Sequence, residues 1–178
     1  MIKVIDDFLT PSYFEELQNL ILSWNFDWYC QPNLSPSRPG PARVNFSHNF
    51  YMEEVRSPHC PLILPFMYQV KDICGAKQLL RCRADLTMIH PDKIKHPPHV
   101  DFPEPHYSSV FYVNESDGET IMYNERWDGD YPDIDTLTVR QVIEPKPNRV
   151  IIFDGDIIHT GHSPAIHQTR VILNSNYV

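Results

Sequence analysis

From Lys77 onward the chain is written in short apolar runs separated by turn residues, and this pattern limits the fold more than any other feature. The runs "QLLRCRADLTMI", "YSSVFYVNES", "ETIMYN", "TLTVRQVIEP", "NRVIIFDGD" and "TRVILNSNYV" each read as a strand. An Asp-Gly turn signal separates the second run from the third. Six or more short strands broken in this way predict a β-sandwich or barrel. Proline points the same way: the chain has 17, against roughly 9 at the usual usage of about 5%. Each one fixes φ and removes a backbone donor, which favours turns over long helices.

The first 76 residues have a different texture. "MIKVIDDFL" reads as a short strand. A helix is expected to follow, with Thr10 as its cap, Pro11 at its first position, and Glu15 and Glu16 toward its positive end. Phe14, Leu17, Ile21 and Trp24 fall on one apolar face of it. "QPNLSPSRPGPAR" reads as an exposed loop and "VNFSHNFYM" as a strand. "CPLILPFMYQVKDICG" reads as a second helix, blurred at its start by Pro65 and stopped near Gly75. The expected architecture is α+β, a jelly-roll core braced by N-terminal helices. The 178 residues are expected to form one domain, with 1–76 as helical support and 77–178 as the core.

Charge and cysteine content exclude some classes of function. The net charge of −8 argues against a nucleic-acid backbone as the main partner, because phosphate binding needs a basic face. Cys30, Cys60, Cys74 and Cys82 show neither CxxC nor zinc-finger spacing and are expected to be reduced and mostly buried. The N-terminus carries acids where a signal peptide needs an apolar run, and no stretch approaches the length of a membrane span. A soluble, cytoplasmic protein is expected.

Chemistry concentrates in "HPPHVDF", His96 to Phe102. In extended chain His99 and Asp101 point to one side, and borderline first-row metals accept both ligand types. Alone, the pair reads better as a surface histidine beside a surface aspartate. "NRVIIFDGDIIHTGHSP" adds His159 at the end of an apolar strand, and Arg170 lies inside the β-branched run "TRVIL". Burying a guanidinium there is costly without an anion, so Arg170 reads as a snorkelling arginine, an internal ion-pair partner or a clamp for a carboxylate.

Two histidines and one carboxylate make the facial triad of non-haem iron oxygenases. On the ordered motifs "HVD", "FYVNESDGET", "PNRVIIFDGDIIHTGHSP" and "TRVILN", the chain resembles the Fe(II)/2-oxoglutarate-dependent dioxygenases from about Arg81 to its end. It is most similar to the prolyl-4-hydroxylase-like branch and to short members carried by tailed phages. The resemblance implies a double-stranded β-helix with Fe(II) held by His99, Asp101 and His159. It implies that Arg170 binds the distal carboxylate of 2-oxoglutarate, that the Tyr112 hydroxyl donates to the same carboxylate, and that Thr120 lines the co-substrate pocket. Asp117 stands where the family has a glycine, a change in a turn rather than in a ligand. Arg83, Asp85 and Thr87 are only candidates for reaching the co-substrate.

The implied reaction consumes O2 and 2-oxoglutarate, with ascorbate as a supporting reductant, and releases succinate and CO2. Halogenating relatives leave the carboxylate position empty, whereas Asp101 fills it, which implies hydroxylation. The substrate is left open between a peptidyl proline and a small molecule, and the compartment would be the host cytoplasm for a phage protein. Two other readings stay open: a non-catalytic jelly-roll module that binds a metal or ligand, and a zinc hydrolase, which has no HExxH-like glutamate here. His162 is the rival third ligand. His48 and His59 are expected at the surface, and His90, His96 and His106 near the mouth of the site. His167 is expected in a loop. Trp127 and Tyr131 are expected in a loop that could serve as a substrate lid.

Overall fold

The computed structural model describes residues 1–31, 45–53, 55–130 and 133–178. Most of the proline-rich loop expected over 31–43, and Tyr131 of the expected lid, lie outside the described residues. Eleven strands and two helices follow in chain order: β1 (Ile2–Ile5), α1 (Pro11–Ile21), β2 (Tyr29–Gln31), β3 (Asn45–Met52), β4 (Val55–Arg56), α2 (Cys60–Cys74), β5 (Leu79–Met88), β6 (Tyr107–Tyr112), β7 (Thr120–Arg126), β8 (Val139–Ile143), β9 (Val150–Asp154), β10 (Ile157–Gly161) and β11 (Thr169–Tyr177).

They form two antiparallel sheets. The larger runs β1-β9-β6-β11-β5-β3-β2 with β4 on β3, and the smaller runs β10-β7-β8. This is the expected jelly-roll arrangement. Strand alternation assigns each face of the large sheet its own task. Ala84, Phe111, Ile152, Val171 and Leu173 face the helices, where they pack with Leu17 and Ile21 of α1 and with Ile63, Phe66 and Met67 of α2. Val110, Tyr112, Ile151, Phe153 and Ile172 face the other way, onto Met122, Ile143 and Ile157 of the small sheet. Full burial of each such side chain contributes about 1.5–3 kcal/mol.

The N-terminal region does more than brace the sheet. β1 pairs with β9, with Ile2 opposite Phe153, and β3 pairs with β5, with Ser47 opposite Asp85. The helices cover one face, and four strands of the same region extend the large sheet at both edges, where backbone donors and acceptors would otherwise be unpaired.

Several local expectations are corrected. Thr10 makes no side-chain cap bond, so α1 starts on Pro11 alone. Trp24 is 97% exposed because α1 ends at Ile21, three residues before the apolar face could reach it. α2 stops at Gly75 as expected, in the left-handed region with φ of 72°, but Pro65 lies inside it without blurring its start, and the helix runs unbroken from Cys60. The Asp117-Gly118 turn is not a hairpin. It carries the chain from β6 in the large sheet to β7 in the small one. His48 is buried at 3% exposure, with its ring 4.7 Å from Phe50 and 4.6 Å from Phe26, because its alternate position on β3 faces the aromatic packing. The four cysteines are free, and only Cys30 is exposed. Among the described residues no helix is long and apolar enough to cross a membrane.

Candidate active site

His99, Asp101 and His159 come together between the sheets and offer ligand atoms that all lie within 4.8 Å of one another. His99 does not sit in a named strand, as the i, i+2 argument assumed. It forms a single bridge to His159 of β10, with backbone bonds in both directions at 2.9 and 3.0 Å. This direct pairing brings the two rings to 4.6 Å. Pro97 and Pro98 restrict the chain just before His99, and Val100 turns away into a cluster with Ile121, Tyr123 and Ile158.

The tautomers follow from the neighbours. His99 Nδ1 lies 3.1 Å from the Pro97 carbonyl and His159 Nδ1 lies 3.0 Å from the Ile157 carbonyl. A carbonyl only accepts, so each Nδ1 carries the proton and each Nε2 lone pair is left for a metal. Burial, reinforced by the His99 ring, pushes the His159 pKa down to about 4, so the ring is neutral at ordinary pH.

Asp101 is held by four residues to which the sequence reading gave no role. Arg81 Nη2 donates to one oxygen at 3.0 Å. Ser108 Oγ and Asn176 Nδ2 donate to the other at 2.7 and 2.9 Å, and Asn174 Nδ2 at 3.2 Å. Burial opposes its charge, but Arg81 and the two histidines outweigh this and hold the carboxyl well below the usual range. Asn174 and Asn176 stand opposite Arg83 and Arg81 in the β11–β5 register. Alternation from Arg170 along β11 is the signal that could have found them.

Arg170 lies four residues before Asn174 on β11, about 13 Å along the strand at ~3.3 Å per residue. Its Nε donates to the Gly118 carbonyl at 2.6 Å and its Nη2 to Thr120 Oγ1 at 2.9 Å. The Tyr112 hydroxyl donates to the same Thr120 oxygen at 2.7 Å. Arg170 is 6% exposed. Among the described residues no carboxylate forms a salt bridge with it. Burial lowers its pKa from the ordinary arginine value. Thr120 and Arg170 line a cavity of about 310 Å³ together with His99, Asp101 and His159. Tyr112 is fully buried and does not line the cavity: its hydroxyl donates to Thr120 and not into the space where a co-substrate carboxylate was expected.

Arg83, Asp85 and Thr87, the open candidates, also line this cavity. His96 reaches it too, with Nε2 3.0 Å from Ser163 Oγ. His162 lies outside this cluster, with its ring Nδ1 3.1 Å from a Glu119 carboxylate oxygen. His106 and Trp127 line a separate cavity of about 560 Å³, so Trp127 is not placed as a lid over the triad. Asp117, the departure in the turn, accepts the backbone N–H groups of Ala165, Ile166 and His167 and fixes the loop that leads into Arg170.

The chain is a jelly roll with a His-x-Asp…His cluster between its sheets and a buried arginine on its last strand. Several solved structures share its fold. An oxidoreductase of the 2OG-Fe(II) oxygenase family from Burkholderia pseudomallei matches with a TM-score of 0.71 and 12% identity, over 99% of this chain and 84% of its own. A prolyl hydroxylase from Trichoplax adhaerens, in complex with a peptide fragment of the hypoxia inducible factor oxygen degradation domain, matches at 0.66 and 15%, over 99% and 83%. The epimerase SnoN, in complex with Fe3+, alpha ketoglutarate and nogalamycin RO, matches at 0.67 and 10%, over 99% and 78%. The chain thus shares the fold of the 2OG-Fe(II) oxygenases, prolyl hydroxylases included. No family model and no curated protein matches its sequence.

Proposed function

We propose that this protein is an Fe(II)- and 2-oxoglutarate-dependent oxygenase that hydroxylates its substrate. The observation that carries the reading is Arg170, a buried guanidinium without a carboxylate partner among the described residues, in the same cavity as His99, Asp101 and His159. One cavity therefore offers a metal-ligand set and a cation that needs an anion. A five-carbon dicarboxylate lying between them satisfies both ends.

The donor set fits the metal. Two neutral imidazoles and one carboxylate suit Fe(II) and leave coordination positions open. The four donors on Asp101 keep it ionised and orient it. Arg170 would hold the distal carboxylate of 2-oxoglutarate in a bidentate bond, with Thr120 and Tyr112 fixing the guanidinium plane. When bound, iron and 2-oxoglutarate supply the oxidising chemistry, using O2 and releasing succinate and CO2. The protein orients these groups and keeps bulk water out of the cavity, and ascorbate would keep the metal reduced.

The test is anaerobic. Fe(II) and 2-oxoglutarate added together to the purified protein should give a weak visible charge-transfer band, and air should then give succinate. A protein that shows neither the band nor succinate is a binding module and not an oxygenase.

A further inference from the structure

If 2-oxoglutarate lies over β11 as proposed, the wall beside it comes from β5, and two arginines on that wall differ in standing. Arg81 is engaged through Nη2 with Asp101 and Asn174 and through Nε with Asn176, and its side chain is 13% exposed. Arg83, two residues on and facing the same cavity, spends only Nε, on Asp85 Oδ2 at 2.8 Å. No described residue takes its two terminal nitrogens, and its side chain keeps 34% exposure.

Charge within the cavity points the same way. Three cations line it, Arg81, Arg83 and Arg170, against two anions, Asp85 and Asp101. Fe(II) and doubly charged 2-oxoglutarate cancel each other, so the loaded cavity keeps one positive charge. A single negative charge is missing, and the unspent edge of Arg83 is where it can be met. Two parallel N–H groups on a planar fork match a planar carboxylate. A phosphate monoester would bring close to two charges and leave the cavity negative. The volume of about 310 Å³ is at the lower end of ligand pockets, which run from roughly 300 to 1,000 Å³, and it must also hold the co-substrate.

We infer that the substrate is a small molecule bearing a carboxylate, and that Arg83 is the residue that anchors it, with Asp85 setting the plane of the guanidinium. This rests on the oxygenase reading and adds a substrate class to it. It places the substrate's carboxylate on β5, beside the co-substrate, and separates the two anions by giving each its own arginine.

The experiment uses the whole chain and a panel of probes: free amino acids, N-acetylated amino acids and 2-hydroxy acids, each paired with its primary amide, together with short peptides rich in Asp and Glu. Binding is read by anaerobic calorimetry on the Zn(II)/2-oxoglutarate-loaded protein, and turnover by succinate. At least one free acid should bind and raise succinate release above the substrate-free rate, and its amide should do neither. Arg83→Gln should lower kcat/KM for that acid by about 100-fold or more, the loss expected for removing one partner of a hydrogen-bonded charge pair. Arg83→Lys should recover part of it, and the 2-oxoglutarate titration should keep its wild-type midpoint in both variants. The inference is overturned if the amide works as well as the acid or if Arg83→Gln keeps full activity. It is also overturned if only the acidic peptides act, or if no acid binds to protein that shows the anaerobic band. Absence of the band itself removes the oxygenase reading, and this inference with it.

Discussion

Arg170 donates through Nη2 to Thr120 Oγ1 at 2.9 Å, which ties the last strand of the large sheet to the first strand of the small one at the end of the cavity away from Asp101. The Tyr112 hydroxyl donates to the same oxygen. Thr120, braced by Tyr112, and the Gly118 carbonyl thus hold the guanidinium in place before any ligand arrives. Arg170→Ala should weaken 2-oxoglutarate binding by roughly 30-fold to several-thousand-fold, the range for truncating a buried charge partner. Metal binding should be retained, because none of the three metal-ligand residues bonds to Arg170. Separate anaerobic titrations with metal and with 2-oxoglutarate check this.

Asp101→Ala should lose metal binding and also destabilise the fold. The substitution leaves Arg81 without its carboxylate, with only Asn174 and Asn176 as acceptors. Breaking one side of a buried ion pair costs about 3–5 kcal/mol. Asp101→Asn keeps the shape but not the charge, so it should lose metal with a smaller drop in stability. Metal content after dialysis and thermal denaturation of the apo-protein separate the two effects.

Gly118→Ala should be destabilising by about 1–3 kcal/mol. A Cβ there would lie 2.5 Å from the His162 carbonyl oxygen and 2.7 Å from Arg170 Cδ, and the backbone oxygen has little room to move. Because Arg170 must shift, the 2-oxoglutarate midpoint should rise as well. Denaturant unfolding and the anaerobic titration, run on the same preparation, measure both.

Asp117 makes stability depend on pH. Burial raises its pKa, but the amide donors of His167 and Ala165 and the His167 ring prevail and hold it below the usual carboxylate range. The folded pKa is below the unfolded value of about 3.9. Its contribution is therefore fully present above that value and is lost as pH falls through the folded pKa. Asp117→Asn should lower Tm at neutral pH, and the gap from wild type should close as pH falls below about 4. Melting curves of both proteins across that range test it, and a gap independent of pH would show that the charge is irrelevant.

Much of this protein was determined by the sequence itself, and the reason is local. The continuous apolar runs in "VIIFD" and "TRVIL" read as strands buried on both faces, and Pro97-Pro98 leaves His99 in extended chain. Arg170 was legible because it breaks an apolar run with a charge that needs a partner, whereas the two histidines and the aspartate became legible only as a set, through the ordered motifs that carry the family resemblance. Tertiary structure decided the rest. No spacing rule could place Asn174 and Asn176 on Asp101, because their role depends on β11 lying between β5 and β6 in one register. The same holds for the N-terminal strands. β1 and β3 are unremarkable in sequence and become parts of the large sheet only because β9 and β5 offer them edges. It also holds for Arg81 and Arg83, two alike residues on one strand face: one is consumed by Asp101 and its asparagines, and the other keeps its fork open. Sequence fixes which groups need partners, and only the packed sheets decide which of them find one.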